Sequence, residues 1–283
     1  MVEPYPRGRN PFDESGVQRG PDGIARYRDR PASLVDLLRS SVERDPDVIA
    51  LVEVGGPSMS YGELWERAAR VAGGLRDAGV ARSDRVAIRL ANGIEWVLAF
   101  FGAELLGAIV VPVNTRFTEE EAAYVVEDSG AGYTFAAGTP LPEGGPVAVE
   151  DLGPDDLAAI FYTSGTTGFP KGAMTSHGNF TTNSENVFRC LATDRSEGPG
   201  MSTLVSVPLF HVTGCNSQLI PMLELGGRVE ILSGPLDLEG FFTAVGEHGV
   251  NQLVSVPAIY HAVLHHPRFP ELDVSRVRSQ ALR

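Results

Sequence analysis

The informative stretch of the chain is Phe161-Tyr162-Thr163-Ser164-Gly165-Thr166-Thr167-Gly168-Phe169-Pro170-Lys171-Gly172. An apolar strand leads directly into four Ser/Thr hydroxyls, three glycines and one lysine. Glycines let the backbone approach a ligand closely, and successive N–H groups form a concavity that binds anions. The hydroxyls add donors, and Lys171 adds a point charge suited to polyphosphate. A flexible surface turn would not need all of these together, so the stretch reads as a polyanion-binding loop after a buried strand. Two common phosphate loops are excluded. GxxxxGK[ST] started at Gly165 needs Gly where Pro170 stands and Ser or Thr where Gly172 stands. GxGxxG is not matched either.

Other candidates are weaker. His211, in Pro208–Gly214, reads from the residues alone as a satisfied histidine at the end of a strand. His177 lies near the loop and reads as a cap of the following helix, while His261, His265 and His266 read as solvated helix-end residues. Cys215 reads as a small core residue. Cys190 and Cys215 are too few for a disulfide framework, fit a reducing cytoplasm and lack metal-ligand spacing. A formal charge of −13 argues against nucleic acid or an anionic membrane as the main partner. It leaves room for an anionic ligand at a local lysine or helix N-terminus. No run approaches the ~18 apolar residues of a membrane span.

The elements that must position this loop alternate in type. Ser60 and Glu63 form a capping-box pattern ahead of Leu64, Ala68, Val71, Ala72 and Leu75 on one helical face, closed by Gly79. Strands are predicted at Arg85–Leu90 and at Ala108–Val113, a continuous apolar run, with a helix over Ile94–Leu106 between them. Thr118 and Glu121 form a second capping box, followed by a strand at Tyr133–Ala137. Gly138–Pro154 reads as a surface connection between subdomains. Further strands are predicted at Leu157–Tyr162, Thr203–Val207, Arg228–Leu232 and Leu253–Val256, with a helix after His211 and another opened by Pro257 and ending near His265. Residues 1–30 read as a loosely ordered arm rich in Pro, Gly and Arg, without the apolar run of a secretory signal. The fold class expected is α/β: mainly parallel sheets flanked by helices.

Tyr-Thr-Ser-Gly-Thr-Thr-Gly-x-Pro-Lys-Gly resembles the phosphate-loop signature of the adenylate-forming superfamily, which includes acyl-CoA synthetases, aryl-CoA ligases, luciferases and peptide-synthetase adenylation domains. Ser60–Leu64, Gly107–Asn114, Pro208–Gly214 and Leu253–Tyr260 resemble further segments of that superfamily in the same order, so the resemblance spans about Ser33 to Arg283. It implies that a carboxylate attacks the α-phosphorus of ATP, pyrophosphate leaves, and a thiol, usually that of coenzyme A, takes the acyl group. It implies Thr163, Ser164, Gly165, Thr166, Thr167, Gly168 and Lys171 as the ATP-phosphate set, with Lys171 also catalytic. It places His211 near the acyl carboxylate as a catalytic residue, and Asn216, Gln218 and Leu219 on a helix facing an acyl chain. Core packing accounts for Leu219 and Met222 as well as that acyl-facing role does.

The resemblance also implies parts expected after Arg283: a Gly-rich adenine segment, an acid that helps hold Mg2+, a ribose-binding aspartate and a C-terminal lid domain with a lysine. Residues 31–283 are therefore expected to be part of the large N-terminal domain of an acyl-CoA synthetase, inactive in isolation and with no metal ligand of their own. A short homologue that binds nucleotide or acyl groups without catalysis, or that a partner chain completes, is the alternative. No aspartate stands between Val212 and Leu232 to receive a substrate amine, which favours a fatty or aromatic acid over an amino acid. The partners implied are ATP, coenzyme A and a carboxylic acid; a homodimer stays open.

Overall fold

The computed structural model describes residues 15–163, 169–233 and 237–280. Within the span read as a loose arm, β1 (Val17–Arg19) and β2 (Ala25–Tyr27) form an antiparallel pair, and Tyr27 Oη donates to Asn186 Oδ1 at 2.6 Å. Next comes α1 (Leu34–Arg44), capped by Ser33, whose hydroxyl accepts from the Asp36 amide. Then β3 (Ile49–Glu53) and β4 (Ser58–Ser60) pair antiparallel. The helix α2 (Tyr61–Asp77) opens on the expected capping box of Ser60 and Glu63.

The expected alternation follows. β5 (Arg85–Arg89), α3 (Ile94–Leu106), β6 (Ile109–Pro112), α4 (Glu119–Ser129) and β7 (Ala131–Ala136) run in order, with Gly107 and Gly130 in left-handed conformations closing the two helices. Strand β8 (Leu157–Thr163) lies beside β6, and β9 (Lys171–Ser176) folds back on it, so the five-stranded order is β7-β5-β6-β8-β9. All its pairings are parallel except β8 with β9. The stretch 138–154 does not join two subdomains. It leads from β7 to β8 of one sheet, and its amides at Gly144, Val147 and Val149 donate to carbonyls of Arg70, Ala69 and Leu105. Helices α2 and α3 already present these carbonyls at one surface, so the strap docks there.

The second half builds on α5 (His177–Leu191), β10 (Ser202–Val205), α6 (Val212–Gly214), a π turn at Cys215–Leu219, α7 (Ile220–Leu225) and β11 (Arg228–Ile231). It ends with α8 (Leu238–Phe242), β12 (Gln252–Leu253), shorter than expected, α9 (Pro257–Leu264) and β13 (Ser279–Gln280). The six-stranded order is β13-β12-β10-β11-β3-β4, parallel except for β3 with β4.

Helix α3 touches β3 of one sheet and β5 and β6 of the other, and only Glu95 of its residues is not buried. A helix apolar on every side is one enclosed by its own protein. Trp96, Phe100 and Phe101 are fully buried there, each stabilising the fold by about 1.5–3 kcal/mol.

Glu104 shares this burial, and neither of its carboxylate oxygens has a hydrogen-bond partner among the described residues. Desolvation raises its pKa well above the ordinary 4.5. His177 Nδ1 lies 3.7 Å from Glu104 Oε2 but accepts from the Leu34 amide, so the two do not form an ion pair. Burial pushes His177 down to about 4. The two groups act in opposite senses. Glu104 contributes stability that is full below 4.5 and is lost as pH rises toward its raised folded value. His177 contributes stability present above 6.5 and lost as pH falls toward about 4. Glu104→Met is therefore expected to stabilise the protein at pH 8 by about 1–3 kcal/mol, the cost of burying a polar group without a partner, with a smaller gain at pH 5. Urea denaturation at both values checks this, and a gain independent of pH would sink it.

Candidate active site

The loop lies in sequence between two antiparallel strands, β8 and β9. Thr163, the last residue of β8, is in register with Lys171, the first of β9, and Tyr162 with Gly172. Gly172 is required by this crossing, because a Cβ there would fall 2.7 Å from Ile160 Cγ2 and 3.1 Å from Tyr162 Cζ. The expected strand thus feeds the loop, and the two ends of the motif, Thr163 and Lys171, come together at the carboxyl edge of the five-stranded sheet. Lys171 is exposed and forms no ion pair among the described residues. Ser164, Gly165, Thr166, Thr167 and Gly168 lie outside the described residues.

His211 belongs to the other sheet. It follows the carboxyl end of β10 and caps α6, with Nδ1 accepting from the Thr213 amide at 3.2 Å. That bond leaves Nε2 to carry the proton of the neutral ring. The ring is exposed and so available to a ligand. Gly214 gives the segment its tight entry: a Cβ there would lie 2.4 Å from the Pro208 carbonyl oxygen.

Asn92 ties the two sheets together, and the sequence reading missed it. Its Nδ2 donates to Val207 O at 2.9 Å, and its Oδ1 accepts from the Leu209 amide at 2.8 Å. A side chain just past the end of β5 thereby holds the segment that carries His211. Glu53 makes a second tie: its Oε1 accepts from the Ile94 amide at 2.6 Å, supplying α3 with the cap that Gly93 cannot.

The remaining candidates fall away from this edge. His177 is the first residue of α5 behind a Ser176 cap and is buried against Leu34, so it is neither the cap nor open to a ligand. His261 and His265 are exposed and stack on each other, but His266 is partly buried and packs on Phe242 at 4.8 Å. Cys215 is fully buried, and burial pushes its thiol up, as suits a core residue. Leu219 and Met222 are core residues. Gln218 is buried and its Nε2 donates to Leu204 O and Val254 O, so it braces β10. The backbone carbonyl of Asn216 accepts from Asn183 Nδ2, while its side-chain oxygen is buried without a partner among the described residues. No described helix is long and apolar enough to cross a membrane.

Two largely parallel sheets, bridged where Asn92 beyond β5 holds the segment beyond β10, with paired strands flanking a glycine- and hydroxyl-rich loop at one of them, define an α/β protein of the kind whose ligands bind outside the carboxyl ends of the strands. The chain belongs to the AMP-binding enzyme family, whose profile matches residues 38–144 and 136–282. It is 37% identical over 248 residues to a feruloyl-CoA synthase of Amycolatopsis sp, covering 81% of this chain and 50% of that protein. It is 27% identical over 314 residues to a long-chain-fatty-acid–CoA ligase of Escherichia coli O6:H1, covering 89% and 56%. Among solved structures it is similar to the o-succinylbenzoate coenzyme A synthetase of Bacillus subtilis in complex with ATP and magnesium ion, with a TM-score of 0.74 and 25% identity over 83% of this chain and 52% of that one. The chain spans about half the length of the curated relatives it matches.

Proposed function

We propose that this chain is the nucleotide- and acid-facing portion of a cytoplasmic acyl-CoA synthetase. It would activate a fatty or aromatic carboxylic acid with ATP to an acyl-adenylate, then pass the acyl group to coenzyme A. The observation that carries the reading is the hairpin closed by Thr163 and Lys171 at a strand edge that Asn92 joins to the His211 segment. The feruloyl-CoA and fatty-acid relatives support the acid class, and the ATP- and magnesium-bound structural neighbour supports the nucleotide.

The residues present fit a polyphosphate. Lys171 offers a cation with no ion-pair partner among the described residues, and Thr163 starts a run of hydroxyls and glycines that continues through Ser164, Gly165, Thr166, Thr167 and Gly168. Together these would hold the ATP phosphates. Magnesium, arriving with ATP, would supply further charge neutralisation. His211, with Nδ1 fixed by Thr213, presents an Nε2–H that can donate to the acid's carboxylate and orient it. Positioning and charge neutralisation are the main catalytic demands of such a centre.

Acid-dependent exchange of labelled pyrophosphate into ATP tests the reading, run on the longest protein that contains these residues with ferulate, other aromatic acids and fatty acids. Exchange with at least one of these acids is expected. Exchange driven only by amino acids, or none with any acid, would refute it.

A further inference from the structure

We propose that Tyr124 and Asp128, one turn apart on α4, position the phosphate loop by holding both of its ends. The inference rests on the loop being the ATP-phosphate site. On the entering side, Tyr162 Oη donates to Asp128 Oδ2 at 2.6 Å. On the returning side, the Phe169 ring stacks on Tyr124, with centroids 4.8 Å apart and planes at 26°. Tyr124 Oη also makes a longer contact of 3.4 Å to the Pro170 carbonyl. Residues four apart on a helix share a face, so one surface of α4 meets both ends.

That surface is a firm mount. The Thr118–Glu121 capping box fixes the start of α4, and Arg89 reaches from β5 to Glu119 at 2.8 Å and to the Phe117 carbonyl at 3.0 Å. Ala122 and Val125 pack with Ala87, Val111 and Val113 of the five-stranded sheet and its edge. Phe169, by contrast, is 72% exposed and contributes little to a core. A large aromatic ring between Gly168 and Pro170 gains most from its stack on Tyr124. That stack and the Tyr162–Asp128 bond fix where the loop leaves and rejoins the sheet. Ordering done before binding is not charged against affinity. Tyr124 and Asp128 are therefore positioning residues, acting on nucleotide through Phe169 and Tyr162.

The test titrates ATP and pyrophosphate into the protein and into Phe169→Ala, Phe169→Tyr, Tyr162→Phe, Asp128→Asn and the Tyr162→Phe/Asp128→Asn double variant, with Tm measured on each. Phe169→Ala, at an exposed site, is expected to bind about two- to tenfold more weakly with Tm unchanged, and Phe169→Tyr to restore affinity. Tyr162→Phe removes the donor and should weaken binding; Asp128→Asn keeps an accepting oxygen but loses the charge, so it should weaken binding less and add nothing in the Tyr162→Phe background. Lys171→Ala serves as the reference for phosphate contact. If it binds weakly while the Phe169 and Tyr162 variants match the parent, the positioning role is wrong and the phosphate site stands. Affinity lost only in step with Tm, or not restored by Phe169→Tyr, also overturns the role. If the parent binds neither ligand, the phosphate site fails and the role falls with it.

Discussion

Lys171→Ala is expected to weaken the binding of ATP and pyrophosphate about ten- to a hundredfold, since a charge-assisted contact contributes about 1.5–3 kcal/mol. The estimate belongs at the upper end for two reasons. Lys171 is exposed at the mouth of the hairpin and has no carboxylate partner among the described residues, so its charge is free for a phosphate. The chain as a whole carries −13, so a polyanion approaching elsewhere is repelled and a local cation counts for more. Lys171→Arg keeps the charge but replaces a compact ammonium with a planar fork, and should recover only part of the affinity. The loss should shrink as salt rises from about 0.05 to 0.5 M, because exposed charges are screened over shorter distances. Calorimetric titration at the two salt concentrations checks both points. Superimposable curves for parent and Lys171→Ala would remove this residue from the site.

Much of the fold was legible because the signals were local. Ser60 with Glu63 and Thr118 with Glu121 each satisfy a helix end within four residues, and both capping boxes form as expected. Gly107 marks the end of α3 because only a residue without a Cβ takes its left-handed turn cheaply. The helix α1 carried the same kind of signal, with Ser33 capping at Asp36, and went unread. Strand β9 had none. Lys171–Ser176 has no apolar alternation and is a strand because it pairs with β8 at an exposed sheet edge. Which strands belong to which of the two sheets was also invisible, since the division is set by α3 packing between them rather than by any strand's own residues.

The site was legible where it is a motif and hidden where it is a contact. Thr163 and Lys171 were found by residue type and meet as register partners. Asn92 was missed because a lone asparagine in a loop has no signature, and its partners Val207 and Leu209 are 115 and 117 residues away. Tyr124 and Asp128 carry no sequence signature, and only the return of β9 brings the loop's ends against them. Glu104 sits where a helix would normally expose a carboxylate. Its burial follows from the second sheet covering α3, which no short-range pattern encodes.

The largest expected effect is on turnover: the 283 residues by themselves, with ATP, magnesium, coenzyme A and the matching acid, should form acyl-CoA too slowly to measure. Joining a carboxylate to a triphosphate brings two anions together, and cations must offset that repulsion at the reacting atoms. Within the proposed site Lys171 is the cationic side chain, and His211 adds one N–H donor. The resemblance assigns the magnesium-holding acid, the ribose aspartate and a second lysine to sequence after Arg283, and the curated relatives are about twice the length covered here. Removing one such electrostatic contact costs about 10²–10³ in rate, and groups that act as a unit lose nearly everything when any of them is absent. Binding should survive better than turnover, because Thr163 and Lys171, the two ends of the motif, meet as partners on one sheet. The measurement pairs a thioester assay with an ATP titration on the same sample. Weak nucleotide binding without acyl-CoA is the expected result, and steady turnover by these residues alone would show that the carboxyl edges of the two sheets already hold the whole catalytic set.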